Sequence, residues 1–241
     1  MLEPELDGDI PLNTTEDDSV RRQDRSEVTK QRILDASERL FATRSFASVS
    51  LREIAKAAEV GVATVNYHLG SKDDLLKAVF LRRAIELNRE RVALLSEAET
   101  LAEGQAVPLR GILRALLLPG IRWSFDPGGR GLFIQFMIRC QLDPSSPLYE
   151  LFYRDVRHLQ RFVPHFKQTL PELTEADIHW RMHFTLGAMH YTITDLSRLD
   201  QVSSGLCNTS DMEETVSRIV NFCEGAFRFA PFNPPLPQER L

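Results

Sequence analysis

Residues 51–76 read LREIAKAAEVGVATVNYHLGSKDDLL, and this stretch decides the fold. Apolar residues recur along it at the spacing of one buried helical face, which predicts a helix, a tight turn and a second short helix. Ser50 followed by Glu53 is a capping-box pattern at the start of the first helix, and Ser71 has the position of an N-cap for a third. The turn at 59–61 is short, so the two helices must cross steeply. This is the layout of a helix-turn-helix, whose second helix enters a DNA major groove.

The face that the second helix should expose carries small, methyl-bearing and hydrogen-bonding side chains. Such side chains suit base edges and phosphates. Lys72 lies in the first turn of the third helix, where free backbone N–H groups and the helix dipole favour a phosphate. Arg25 belongs to a basic segment that either reaches DNA or only decorates a helix start. The candidate DNA-binding residues are Arg25, Ser50, Arg52, Val62, Ala63, Thr64, Asn66, Tyr67, His68 and Lys72.

Four linked motifs resemble the N-terminal DNA-binding domain of the TetR family of transcriptional regulators. They are Leu51-Arg-Glu-Ile-Ala, Ala58-x-Val60, Thr64-Val65-x-Tyr67-His68 and Ser71-Lys72-x-x-Leu75-Leu76. The resemblance covers about residues 27–87, and it implies a homodimeric repressor whose effector binds in a helical body and moves the two DNA-binding heads out of register with the operator. At the turn, Glu59 stands where the family often has Gly, and Gly61 stands where it often has Ser or Thr.

The charge is distributed unevenly along the 241 residues, although the net charge of −5 looks wrong for a DNA-binding protein. Residues 1–20 contain seven acidic and no basic side chains, whereas residues 21–83 contain 13 Lys and Arg against 8 Asp and Glu. A locally basic module on an acidic chain can bind phosphate where the motif lies. The overall charge therefore does not exclude a nucleic-acid partner.

The composition predicts an all-α chain in four parts. Acidic residues and prolines predict a disordered acidic arm at 1–26, followed by a three-helix helix-turn-helix domain at 27–87. A helical ligand-binding and dimerisation domain should occupy 88–230, and a proline-rich tail 231–241. A long helix should join the two domains. Within the second domain, Pro119 with Gly120 should end one helix and Pro164 should kink another.

The histidines and cysteines give no metal or cofactor site. Cys140, Cys207 and Cys223 form no CxxC pair, which argues against a zinc finger and a disulfide framework and indicates a reducing cytoplasm. A redox-sensing thiol stays open as an alternative. His179 and His183 are one helical turn apart, but no carboxylate has the right phase to complete a metal site. No signal peptide or membrane-spanning segment is expected.

Aromatic and methionine side chains concentrate in the second domain. They favour an apolar cavity for an acyl chain or an aromatic effector, and an ordinary filled core is the alternative. The candidate lining residues are Trp123, Phe133, Phe136, Met137, Arg139, Phe152, Phe162 and Phe184, with Arg139 available for an anionic end of the ligand.

Small residues in the helix predicted at 174–199 allow close helix–helix approach, so this helix and the last one should form a four-helix dimer interface. The candidate interface residues are His183, Gly187, Ala188, His190 and Tyr191. No catalytic triad, paired-acid or cofactor motif points to an enzyme. The sequence therefore predicts a transcriptional repressor that binds double-stranded DNA and is released by a small molecule. An effector-independent DNA-binding dimer and an activator are the alternatives.

Overall fold

The computed structural model describes residues 14–142, 147–148, 157–194 and 196–231, and within these ranges every regular element is helical. The helices are α1 Thr14–Thr43, α2 Leu51–Ala57, α3 Val62–Leu69, α4 Lys72–Leu101, α5 Leu109–Ser124, α6 Gly129–Leu142, α7 Arg157–Gln160, α8 Val163–Thr169, α9 Glu175–Thr194, α10 Ser197–Ser203 and α11 Met212–Arg228, with a 3-10 turn at Phe46–Ser48. The predicted all-α class, with an N-terminal helix-turn-helix and a C-terminal helical domain, is confirmed. None of the described helices combines the length and the apolar content that crossing a bilayer requires.

The helix-turn-helix forms because its helix boundaries are specified locally. Ser50 and Glu53 make the predicted capping box at the start of α2, with the Ser50 N–H donating to the Glu53 carboxylate at 2.9 Å. Ser71 and Asp74 do the same at the start of α4. Each box satisfies backbone N–H groups that would otherwise lack a partner. The head is then closed by a small apolar core to which α1, α2 and α3 all contribute.

Helix α1 begins at Thr14, so the prediction of a disordered arm through residue 26 is wrong for residues 14–26. Among residues 21 and 23–43 of α1, Ile33 is the first buried one, and the side chains of Arg21 and Arg25 are exposed. Once a helix is nucleated by its packed part, each further turn adds hydrogen bonds without the cost of nucleation. Low apolar content therefore does not prevent the helix from extending. Residues 1–13 of the predicted arm lie outside the described residues.

Helix α4 joins the head to the body without a break. The domain boundary predicted between residues 87 and 88 lies inside this 30-residue helix. Helix α1 packs against α6, and the rings of Phe41 and Phe136 lie 6.2 Å apart across this contact. The apolar core is continuous from the head into the body, so α1, α4 and α6 share one packed interior.

The predictions that Pro119 ends a helix and that Pro164 kinks one are both wrong. Helix α5 continues through Pro119 and Gly120, and both residues are buried. Helix α5 is surrounded by α4, α6, α8, α9 and α11. Burial of its apolar faces outweighs the roughly 3 kcal/mol that an interior proline costs. Pro164 lies in the first turn of α8. A proline is tolerated there because its missing N–H would have no helical partner, so Pro164 begins a helix instead of kinking one.

Candidate nucleic-acid interface

The turn between α2 and α3 is held in place from α1. Glu59 adopts a left-handed backbone conformation with a φ of 54°, and the Val60 N–H donates to the Ala55 carbonyl at 2.9 Å. The Arg32 guanidinium donates to the Ala58 carbonyl at 2.8 Å and to the Glu59 carboxylate at 2.9 Å. These bonds fix where α3 leaves the turn relative to α1.

Helix α3 divides into a buried side and an exposed side. Val65 and Leu69 enter the core, while Ala63, Asn66 and Tyr67 face outward. Tyr67 is 85% exposed, which is unusual for a side chain of its size and places both its ring and its hydroxyl at the surface. This exposed side offers a methyl group, an amide and a phenol, which together suit major-groove base edges.

The other residues predicted on α3 are less exposed. Val62 is half-buried and packs against the core, which corrects its predicted place on the outer face. Thr64 and His68 are also half-buried, and the His68 ring meets the Tyr67 ring edge-on at 5.2 Å. Gly61 is the N-cap and has no side chain that could bind the first N–H groups of α3. Those donors are left for solvent or for a phosphate.

The start of α2 carries a polar cluster built on Glu53. The Glu53 carboxylate accepts hydrogen bonds from the Arg44 guanidinium at 2.7 Å and from the Ser50 hydroxyl at 2.8 Å. These bonds lower the pKa of Glu53 to about 2. Ser50 is therefore committed to the capping box and has little freedom to bind a phosphate through its hydroxyl. Arg52, in the first turn of α2, is exposed.

Lys72, in the first turn of α4, is half-buried, and its ammonium lies 4.1 Å from the centre of the Phe46 ring. Desolvation lowers the pKa of Lys72, while the nearby charges of Asp73 and Glu53 act in the opposite direction. Because Phe46 precedes Ser50 by four residues, the contact between Lys72 and Phe46 places the start of α4 beside the segment that leads into α2. Arg52 in the first turn of α2 and Arg25 on α1 are both exposed. That these residues bind DNA together stays a prediction.

Sequence reasoning missed two residues of this interface. Arg32 holds the turn and Arg44 holds the Glu53 carboxylate. Each acts across 9 to 27 positions of the chain, on a partner that no local motif connects to it. An arginine on an otherwise polar stretch of sequence gives no signal that would have singled it out.

The residues predicted to line a ligand pocket fall into two groups. Trp123, Phe133, Phe136 and Phe162 are fully buried. The Phe133 ring lies 5.9 Å from Trp123 and 6.0 Å from Phe136, so these rings pack on one another. These four rings belong to the core of the body, and a role in lining a ligand pocket stays a prediction. Packing is closer than the sequence indicated because α1 adds Phe41 to the same cluster.

The remaining pocket candidates are scattered. Met137 is half-buried and Arg139 is exposed, so Arg139 is not placed to meet a ligand inside the body. Phe184 is 63% exposed and belongs to an outer surface instead of an internal pocket. Phe152 lies outside the described residues.

Helices α9 and α11 present an apolar outer face. Trp180, Phe184 and Tyr191 on α9 and Phe222 on α11 are each at least 60% exposed. An open groove of about 1110 Å³ runs along this face, and its lining includes Trp180, Arg181, Phe184, Phe222, Cys223 and Phe229. The Arg181 guanidinium of α9 donates to the terminal carbonyls of α11, including that of Phe227 at 2.6 Å, and so fixes the two helices to each other.

The predicted dimer residues lie on or beside this face. His183, Gly187 and Tyr191 point outward, and no atom outside the local helix backbone lies within 4 Å of the position a Gly187 side chain would take. Ala188 and His190 are half-buried, and Ala188 packs against the core. Small residues therefore alternate with large exposed rings along the outer side of α9.

Two family models match the chain, one in each domain. "Bacterial regulatory proteins, tetR family" matches residues 33–79, and "Tetracyclin repressor-like, C-terminal domain" matches residues 114–226. An uncharacterized HTH-type transcriptional regulator of Mycobacterium tuberculosis is 38% identical over 90 residues, which are 37% of this chain and 45% of the relative. The HTH-type transcriptional regulator AcrR of Shigella flexneri is 34% identical over 117 residues, 48% of this chain and 51% of that protein. The chain thus spans about half the length of the curated relatives it matches.

Solved structures share the fold over most of the chain. A putative tetR family transcription regulator from Shewanella sp. PV-4 superposes with a TM-score of 0.59 at 22% identity, over 82% of this chain and 97% of that one. NalD, the secondary repressor of the MexAB-OprM multidrug efflux pump in Pseudomonas aeruginosa, superposes with a TM-score of 0.57 at 20% identity, over 82% and 96% of the two chains. The matches to both domains and the helix-turn-helix geometry agree: the chain belongs to the TetR family of bacterial transcriptional regulators.

Proposed function

We propose that this protein is a homodimeric repressor that binds a palindromic double-stranded DNA operator with sequence specificity. The observation that carries the proposal is the exposed side of α3, where Tyr67 and Asn66 stand clear of the core while Val65 and Leu69 anchor the helix. A helix that presents unpaired polar groups on a rigid support is suited to enter a major groove. The family consists of DNA-binding regulators and not of enzymes.

Phosphate contacts would come from the residues around α3. Lys72 and Arg52 supply positive charge at the helix starts beside α3, and the uncapped N–H groups of α3 supply further donors. Such contacts set the register on the duplex but do not read its sequence. Specificity is assigned to Thr64, Asn66 and Tyr67.

Dimerisation is assigned to the outer face of α9 and α11. Four large aromatic side chains exposed on two adjacent helices make a surface that a monomer in water would not favour. A two-fold axis through this face would pack α9 and α11 against their copies as a four-helix unit. The two α3 helices would then lie about 34–36 Å apart on DNA, one turn of the duplex.

Release by a small molecule is the third part of the proposal. The continuous core between α1, α4 and α6 couples the body to the head. An effector shifts the DNA-bound state only by its difference in affinity for the two conformations. The NalD structure, described as that of a repressor of an efflux pump, favours repression over activation.

Selection of bound duplexes from a random DNA pool tests the DNA-binding part. The wild-type chain should enrich one palindromic sequence with half-sites one helical turn apart. The double variant Asn66→Ala, Tyr67→Ala should enrich none, whereas Gln168→Ala, which changes an exposed polar residue of α8, should enrich the wild-type sequence. Failure of the wild-type chain to enrich any sequence, or enrichment of the same sequence by the double variant, would overturn the assignment.

A further inference from the structure

Among the body residues that the structure describes, one arginine is buried without an ion pair. Arg91, on the inner side of α4, is only 6% exposed. Its Nε donates to the Leu116 carbonyl of α5 at 3.1 Å, and its Nη1 donates to the Asn88 side-chain oxygen at 3.1 Å. Both acceptors are neutral. Nη2 makes no hydrogen bond to the residues that the structure describes, and it is not among their fully enclosed atoms without a partner, so protein does not close it off completely.

The carboxylates of α4 that lie near Arg91 in sequence are used elsewhere. Glu90 accepts from Arg122 and from the Trp123 indole N–H, and Glu86 accepts from Arg83 and Arg130. Burial lowers the pKa of Arg91 to about 10, which leaves its guanidinium charged at neutral pH. A buried charge without a counter-charge is expensive, and proteins almost always pair it.

The surroundings of Arg91 are apolar. Leu87 and Leu95, one turn away on either side along α4, are buried. Gly120 of α5 faces the guanidinium, and a side chain there would begin 3.9 Å from Nη2 of Arg91 and 3.3 Å from the sulfur of Met189. The missing side chain at position 120 leaves Nη2 uncovered by α5, and Met189 is an unbranched side chain that can readjust.

We propose that Arg91 is the receptor for the carboxylate of an apolar small molecule that binds within the body. The free N–H groups of Nη1 and Nη2 can donate together to the two oxygens of one carboxylate, a fork geometry that a lysine does not offer. The apolar part of the ligand would lie against the leucine and methionine side chains around Arg91. The inference rests on the proposed function only in that such a ligand would be the effector.

This assignment places the anionic end of the ligand on Arg91 instead of Arg139. Arg139 is exposed and has water as a ready partner, so pairing with a ligand would gain little. Arg91 already carries the cost of burial in the unliganded protein. A carboxylate that reaches it replaces no strong existing contact.

Thermal melts of the full-length chain with octanoate, benzoate, octanamide and acetate test the site. Octanoate or benzoate should raise the melting temperature by about 5–10 °C at a concentration a hundredfold above its dissociation constant. Octanamide has the same chain without the charge, and acetate has the charge without the chain, so both should raise it far less. No shift with either apolar carboxylate would overturn the proposal.

Variants of Arg91 show whether the carboxylate binds there. Arg91→Met should melt no lower than the wild type, because it removes an unpaired buried charge, and its octanoate shift should vanish. Arg91→Lys keeps the charge but loses the fork and should bind octanoate about tenfold more weakly by calorimetry. Arg89→Met changes an exposed arginine of the same helix and should respond like the wild type. Equal carboxylate shifts in the wild type and in both Arg91 variants would place the ligand elsewhere.

DNA binding is measured separately, without ligand, by fluorescence anisotropy on a duplex selected from the random pool. If the chain binds octanoate through Arg91 but binds no DNA, the proposed repressor function is wrong and the proposed carboxylate site is still supported. A chain that binds its operator but shows no carboxylate shift would contradict the site alone.

Discussion

Arg32 and Glu59 are joined across the helix-turn-helix by a hydrogen-bonded ion pair of 2.9 Å. The same guanidinium also binds the Ala58 carbonyl, at 2.8 Å. Glu59 has a φ of 54°, a conformation that costs an L-residue with a side chain roughly 1–2 kcal/mol. The turn is thus held by a contact from α1 where a glycine would adopt the conformation without strain.

The strain at position 59 predicts that glycine gives a more stable protein there than alanine does, which is the reverse of their order inside a helix. Glu59→Gly and Glu59→Ala both remove the ion pair, but only the alanine variant keeps the strained backbone. We expect Glu59→Gly to be more stable than Glu59→Ala by about 1 kcal/mol in urea unfolding. The same pair at Glu97, an exposed residue in the C-terminal part of α4, should rank the other way by about 1 kcal/mol. The same ranking at both positions would show that the turn is unstrained.

A buried carboxylate between α1 and α4 should contribute far more to stability than its half-exposed neighbour. Glu38 of α1 accepts from Arg82 and from Arg83 of α4, at 3.0 Å to the Arg83 Nε, and is 2% exposed. Glu38→Ala removes the buried carboxylate that Arg82 and Arg83 share, which leaves Arg82 only Asp35 and Arg83 only Glu86 as a charged partner. This loss should cost about 3–5 kcal/mol. Asp35→Ala removes a half-exposed carboxylate that binds the same Arg82 and should cost less than about 1 kcal/mol. Urea unfolding measures both, and equal costs would contradict the role given to Glu38.

The cluster on Glu53 predicts a loss of stability in acid. Hydrogen bonds from Arg44 and Ser50 lower the pKa of Glu53 from 4.5 to about 2 in the folded protein. Because the folded state favours the ionised carboxylate, this stabilisation is complete above about pH 4.5 and is lost as the pH falls towards 2. Glu53→Gln cannot titrate, so the difference in unfolding free energy between wild type and variant should shrink over that window. A difference that stays constant from pH 7 to pH 2.5 would contradict the prediction.

The outer face of α9 and α11 predicts a dimer that one charge can dissociate. Phe184→Glu places a carboxylate in the centre of the exposed aromatic surface, where pairing of two copies would bury it without a partner. Light scattering at micromolar concentration should give a dimer mass for the wild type and a monomer mass for this variant. Leu101→Glu changes a 77% exposed leucine at the end of α4 and should stay dimeric. A monomeric wild type, or dimers for both variants, would exclude this interface.

The features of the fold that the sequence predicted correctly are mostly local ones, such as helix caps and the buried side of a helix. The serines at positions 50 and 71 cap α2 and α4 as expected, and Asp211 caps α11. These contacts join residues three positions apart, so a short window of sequence contains both partners. The spacing of Val65 and Leu69 likewise determined which side of α3 is buried.

Contacts between segments that are distant in the sequence could not be predicted from a short stretch of it. The bond from Arg91 to Leu116 spans 25 positions and that from Arg32 to Ala58 spans 26, and neither pair belongs to a recognisable motif. The continuation of α5 through Pro119 depends on packing against five other helices. Tertiary packing overrides local propensity there, and the sequence does not show which residues will supply it.

The most direct test of the account compares the affinity of the chain for its selected duplex with that for a shuffled duplex of the same composition. Fluorescence anisotropy at physiological salt should show at least about a thousandfold preference for the selected duplex. Asn66→Ala should reduce this preference by about 1–3 kcal/mol, whereas Lys72→Ala should weaken binding to both duplexes alike and lower the salt slope by about 1. Equal affinity of the wild-type chain for the two duplexes, or a preference that Asn66→Ala leaves unchanged, would contradict the claim that α3 reads the operator.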